Sequence, residues 1–207
     1  NSSDLYTICG SVYHRLGQLD SAAVAYKRAI AIKPEHAGTY NNMGIVLKGQ
    51  GKLEEAVQAY KKALIIKPDF AEVVNNIGNA HKEQGKLDDA VQAYTQAIAI
   101  KPDFTEAAHN LGVAFYEQAK LEEATEAYTK ALTITPDYPG SLHNLTELLK
   151  TYSPKTNHNN LIIDVDKKIR VRHATHALPK TNHELSLHIT NLLNEIHSID
   201  TYLSTEL

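Results

Sequence analysis

The chain has 207 residues, 43% of them hydrophobic and 22% charged, with a formal net charge of −3. This excludes a disordered or collagen-like polymer and argues against a protein that holds nucleic acid by charge alone, so no nucleic-acid partner is expected. A single cysteine, Cys9, excludes an internal disulfide framework and a zinc site built on several thiolates, and no apolar run nears the roughly 20 residues needed to cross a bilayer, so no membrane partner is expected either.

The chain repeats itself. Residues 51–70 (GKLEEAVQAYKKALIIKPDF) and 85–104 (GKLDDAVQAYTQAIAIKPDF) align at an offset of 34, and residues 17–36 and 119–138 fall in the same frame. Four repeats follow, at 3–36, 37–70, 71–104 and 105–138. Each reads as two helices. In the second repeat, Tyr40, Met43, Gly44 and Leu47 mark one face of the first helix, at its fourth, seventh, eighth and eleventh places. A turn follows at Gly17, Gly51 and Gly85, with Ala119 in the fourth repeat. The second helix carries a small residue at the twentieth place (Ala22, Ala56, Ala90, Ala124) and a tyrosine at the twenty-fourth (Tyr26, Tyr60, Tyr94, Tyr128). Pro34, Pro68, Pro102 and Pro136 end it, since proline drives the preceding residue out of the helical region. The small eighth-place glycines and twentieth-place alanines are read as a close helix contact, with the tyrosine filling the wedge beside them.

This pattern resembles the tetratricopeptide repeat as a near-consensus, bacterial-type array. Departures are Val74 and Ala108 at the aromatic fourth place and Ala119 at the turn. The resemblance implies an all-α, right-handed superhelical solenoid of antiparallel helix pairs. It also implies a concave face, lined by first helices, that binds a peptide or a partner protein. Residues 139–154 restart the repeat, with Leu142, Leu145, Leu148 and Leu149 on one face, and read as a capping helix.

Landmark places are occupied by packing, so recognition is expected from the places between them. The sixth place carries Asn42, Asn76, Asn110 and Asn144; the fifth Asn41, Asn75 and His109; the ninth Ile45, Asn79 and Val113; the twelfth Lys48, Lys82 and Tyr116. In the first repeat Ile8 interrupts the sixth-place run. An amide offers two donors and an acceptor and can grip a peptide backbone without reading its side chains. The run resembles the asparagine ladder in the repeat region of O-linked N-acetylglucosamine transferase-like proteins. Its alternative reading is that the amides serve the scaffold. The family's clamp for chaperone C-terminal carboxylates needs cations that this chain lacks. Its places hold Thr7, Ser11, Asn42, Glu72 and Asn76, or one repeat later Asn41, Ile45, Asn76, Glu106 and Asn110. A chaperone-tail adaptor is therefore not expected.

Residues 155–207 leave the repeat. Residues 161–173 fit a strand by their alternation and a helix by their i,i+4 charge pairs. A helix is expected at about 182–204, capped by Thr181 and Glu184, with a heptad seam from Leu185 to Leu203. The seam is expected to belong to one helix docking on the array or to a small domain, or else to form a homodimer through residues 185–203. His173 and His176 lack further ligands, so neither a metal nor a cofactor is expected. No catalytic residue emerges either. The expectation is a cytoplasmic, non-enzymatic scaffold binding a peptide or protein. Because residue 1 is Asn and Met43 is the only methionine, the alternative is a targeting arm of a larger, transferase-like enzyme.

Overall fold

The computed structural model describes residues 2–151; the expectations for 161–173, 182–204 and the 185–203 seam lie outside them. All regular elements among the described residues are helices: α1 Ser2–Arg15, α2 Leu19–Ile32, α3 Ala37–Gly49, α4 Leu53–Ile66, α5 Ala71–Glu83, α6 Leu87–Ile100, α7 Thr105–Glu117, α8 Leu121–Ile134 and α9 Pro139–Thr151. None of these helices is long and apolar enough to cross a membrane. They fall into two compact bodies, one ending at Pro102 with α1–α6, the other beginning at Asp103 with α7–α9.

Local chemistry explains the boundaries. Acidic pairs (Glu54 and Glu55, Asp88 and Asp89, Glu122 and Glu123) open α4, α6 and α8, where the helix dipole favours negative charge. At the other end, Lys67, Lys101 and Thr135 hold φ between −131° and −134° with ψ of 91° to 92°, the extended geometry that the next proline requires. Gly17, Gly51 and Gly85 turn the chain between the paired helices at φ 74° to 75°. Ala119 takes the same turn at φ 58°, in the left-handed region where a Cβ is strained.

Paired helices run antiparallel. Ser3 Oγ donates to the Ala29 carbonyl at 3.1 Å, while Ser11 and the Tyr26 hydroxyl meet at 3.0 Å, so register rises in α1 as it falls in α2. The tyrosine does more than fill a wedge. A Cβ on Gly10 or Gly112 would sit 2.6 Å from the ring of Tyr26 or Tyr128, and the same overlap exists at Gly44 with Tyr60 and Gly78 with Tyr94. The ring itself takes the volume that a side chain would need. All four tyrosines are essentially buried, as are the alanines at the twentieth and twenty-seventh places.

Contacts between repeats also recur. In the second body, Leu132 and Tyr128 of α8 pack against Leu142, Leu145 and Leu148 of α9, so α9 covers apolar surface that α8 would otherwise expose.

Replacing Ala119 by Gly should relieve the turn and raise unfolding free energy by about 0.5–1 kcal/mol. Gly85→Ala should lower it by a similar amount. Urea midpoints of the two variants against the parent check both signs.

Candidate functional site

The first helices α3 and α5 carry most of the expected site in the first body, and α7 and α9 carry the rest in the second. The fifth-place residues turn toward the first helix of the following repeat. Thr7 and Thr39 hydroxyls meet at 3.3 Å, Asn76 Nδ2 donates to Asn41 Oδ1 at 2.9 Å, and His109 Nδ1 lies 3.0 Å from Ser141 Oγ. His109 also packs its ring 5.8 Å from Tyr128 and 5.3 Å from Tyr138, centroid to centroid. Asn75 is only 2% exposed. The expectation that it lines an open surface is corrected: at that exposure its amide is buried and does not face a ligand.

The ninth place meets the buried tyrosine hydroxyl. Ser11 serves Tyr26 at 3.0 Å, and Asn79 Oδ1 accepts from Tyr94 at 2.8 Å. Where the ninth place is apolar the outcome differs. Beside Val113, Tyr128 receives a hydrogen bond from Asn144 Nδ2 at 3.3 Å. In the repeat that carries Ile45, the Tyr60 hydroxyl is buried with no hydrogen-bond partner among the described residues. Asn79 and Asn144 are thus engaged by the scaffold, and Ile45 and Val113 remain half-buried apolar contacts.

At the twelfth place, Lys48 Nζ pairs with Glu83 at 2.7 Å, and the partner is a residue that the sequence pattern did not single out. A signal existed: Lys48–Glu83 and Asn41–Asn76 are both 35 residues apart, one period plus one. Lys82 and Asn110 are half-buried, and Tyr116 is 54% exposed. Asn42 stands apart. It is half-buried like Lys82 and Asn110, but its amide makes no hydrogen bond to a described residue.

Electrostatics set limits. The Glu72 carboxyl is held below the usual range by a hydrogen bond from its own backbone N–H at the start of α5, and then by Lys101 at 3.2 Å and by Lys67. The Tyr128 hydroxyl is pushed up to about 12 by burial, against the lowering effect of Asn144's hydrogen bond. Tyr60 is pushed up as well, by burial first and the Glu83 charge second. Among the described residues no group of three or more His, Cys, Asp or Glu side chains could hold a metal ion.

Known proteins bear on this arrangement in three ways. A family model described as "TPR repeat" matches residues 10–51, 46–85 and 78–119, and a second, "Tetratricopeptide repeat", matches 105–138. No curated protein matches the sequence. Among solved structures, MamA shares 21% identity at a TM-score of 0.67, covering 86% of this chain and 97% of its own. PilF of Pseudomonas aeruginosa shares 20% at 0.67, covering 97% and 88%. Both are similar in fold alone. The first tetratricopeptide domain of Spaghetti (RPAP3), solved bound to the HSP90 peptide SRMEEVD, shares 25% at 0.53, covering 55% of this chain and 90% of its own. The matches reach the repeat family as a whole and do not single out the transferase repeat region.

Two predictions follow from the hydroxyls. Tyr60→Phe removes an unpaired group and should leave stability unchanged or raise it by about 1 kcal/mol, whereas Tyr94→Phe strips Asn79 of a donor and should cost about 1 kcal/mol. Equal losses in chemical denaturation would mean that Tyr60 has a partner. The second concerns pH. A tyrosine pKa raised in the fold favours the neutral phenol, so the unfolded chain ionises first. Stability should hold below pH of about 10 and fall as pH rises toward the Tyr128 value of about 12. Tyrosinate absorbance and circular dichroism, followed together, should show the buried rings ionising only as helix is lost.

Proposed function

This chain belongs to the tetratricopeptide repeat family, and we propose that it is a non-catalytic scaffold whose α3 and α5 surface holds an extended segment of a partner protein. Members of the family generally mediate protein–protein interactions. The observation that carries the reading is Asn42, a half-buried amide without a partner among the described residues, beside an Asn41–Asn76 pair with hydrogen-bonding capacity to spare. Of two donors and an acceptor on each amide, that pair spends one N–H of Asn76 and one lone pair of Asn41. Two N–H groups on Asn41, one N–H and the carbonyl of Asn76, and all of Asn42 remain. These suit the alternating donors and acceptors of an extended backbone.

Magnitudes divide the work. Contacts at about 1 kcal/mol each from three amides give about 3 kcal/mol, short of the about 8 kcal/mol of a micromolar complex. Ile45 and the stems of Lys48 and Lys82 on this surface supply apolar contact. In the second body Asn110, Val113 and Tyr116 form a patch of similar character, with Tyr116 as an exposed aromatic anchor.

The Spaghetti neighbour was solved with an HSP90 peptide that ends in acidic residues. Here Glu72 stands at a place where the carboxylate clamp requires a cation, and it is held in its charged form. The partner segment is therefore neutral or basic rather than a chaperone tail.

A peptide array probed with the parent and an Asn42/Asn76→Ala variant tests the reading. About 2 kcal/mol of lost hydrogen bonding predicts roughly 30-fold weaker binding, with helix content unchanged. Equal binding by the two proteins would reject the amide surface as the recognition site.

A further inference from the structure

Three seams between neighbouring repeats lie wholly inside one body or the other, and they share one pattern of hydrogen bonding. In each, two polar groups of the earlier repeat need partners: the fifth-place side chain of its first helix and the hydroxyl of its buried tyrosine. Three places can answer them. These are the ninth place of the same repeat and the third and sixth places of the next.

Between the first and second repeats, third-place Thr39 meets fifth-place Thr7 at 3.3 Å, and ninth-place Ser11 meets the Tyr26 hydroxyl at 3.0 Å. Both groups are served, and sixth-place Asn42 is left without a hydrogen bond to a described residue. Between the fourth repeat and the partial fifth, third-place Ser141 Oγ lies 3.0 Å from His109 Nδ1. The ninth place there is Val113, which offers nothing, and sixth-place Asn144 donates to the Tyr128 hydroxyl at 3.3 Å. The sixth-place amide thus takes whichever group the third and ninth places leave.

Between the second and third repeats both of those places are apolar. Val73 stands at the third, fully buried, and Ile45 at the ninth. Asn41 and the Tyr60 hydroxyl therefore fall to one side chain, Asn76. In the structure Asn41 has it, with Asn76 Nδ2 donating to Asn41 Oδ1 at 2.9 Å. Tyr60 is 0% exposed, and its hydroxyl has no hydrogen-bond partner among the described residues. The orphan results from two apolar side chains rather than from a missing amide.

The fourth repeat shows a second position for Asn76. Asn76 and Tyr60 occupy the same two places as Asn144 and Tyr128, with the same sixteen-residue separation, and in that pair the sixth-place amide reaches the hydroxyl. Each position of Asn76 satisfies one group and leaves the other. Asn41 is only half-buried, so a guest can take over its bond. Tyr60 is buried, so a neighbouring side chain has to serve it, and a buried hydroxyl left unpaired is costly. Such a pair of arrangements is shifted by whatever binds one of them better.

We propose that Asn76 is a shared amide that couples recognition to packing. It is bonded to Asn41 in the free chain and turns to the Tyr60 hydroxyl when a backbone N–H of the partner segment takes the Asn41 carbonyl. This rests on the α3 and α5 reading above and adds a requirement to it. Two hydrogen bonds replace one on binding, but only if the guest residue facing Asn41 carries an N–H. Proline, which has none, is excluded there. Asn76 is a positioning residue in this scheme, and Val73 and Ile45 are what make it one.

Urea midpoints of the full chain test the exchange without any partner. In the parent, Tyr60→Phe should leave the midpoint unchanged or raise it. In an Asn41→Ala background nothing else claims Asn76, and the same substitution should lower the midpoint. Val73→Thr gives Asn41 a third-place hydroxyl, as Thr39 gives Thr7, and should reverse the sign in the same way. Should that variant fail to fold, Asn41→Ala decides, since it trims only a half-buried side chain. Adding Asn76→Ala to either background should abolish the loss, which repacking around Tyr60 would not do. A Tyr60→Phe effect of one sign in every background would overturn the proposal.

Binding supplies the second arm. The probe is the array peptide that the parent holds most tightly, resynthesised with one backbone N–H methylated at a time. Tyr60→Phe should bind the unmodified peptide about fivefold more weakly than the parent, the worth of one neutral hydrogen bond. At one methylated position that difference should vanish, because Asn41 is no longer taken. Equal binding of the unmodified peptide by parent and Tyr60→Phe, while Asn42→Ala weakens it, would reject the coupling and leave the amide surface standing. Indifference to Asn42→Ala as well would reject the surface itself, with the midpoints alone deciding the exchange.

Discussion

Everything in each helix pair depends on one contact, a tyrosine ring lying where a glycine lacks its side chain. The ring needs the glycine, because any Cβ at Gly10, Gly44, Gly78 or Gly112 would overlap it. The glycine needs the ring, because a cavity of that size would forfeit dispersion contacts on every side. This contact sets how closely the two helices approach, and through it the register of the places around it. Alanines at the twentieth and twenty-seventh places are then fully buried, and the ninth-place side chain arrives beside the tyrosine hydroxyl.

That hydroxyl links packing to recognition. A buried phenol requires a partner, and the chain supplies it differently in each repeat. Ser11 and Asn79 answer from within their own repeat, while Asn144 answers from the next one. In the second repeat Ile45 gives nothing, and Tyr60 stays unpaired. The amides that could bind a guest are therefore the same groups that satisfy the scaffold. At Asn42 the scaffold makes no such demand among the described residues, and the amide keeps its full hydrogen-bonding capacity. The Lys48–Glu83 pair shows the same competition among charges, although an exposed pair of this kind contributes only about 0–1 kcal/mol.

Much of the fold was legible in the sequence. The period of 34, the prolines at its end and the glycines at its turn specify paired helices without any tertiary information. Even Ala119, an irregularity in the pattern, marks a real left-handed turn. The site was less legible. The sixth-place run of asparagines was visible, but its neighbours across the seam were not. Asn76 and Asn144 share the sixth place in a repeat alignment, yet the first bonds Asn41 and the second serves the Tyr128 hydroxyl. Asn75 is indistinguishable from Asn41 by place and is buried nonetheless.

Local rules made the sequence informative where it was. Helix boundaries, turn conformation and the matching of small to large residues act over a few bonds or a single period, so a one-dimensional pattern determines them. Which amide is free and which hydroxyl is orphaned depend on contacts one period away, shifted by a residue or more. Those shifts arise from how one repeat packs on the next, and only the folded chain decides them.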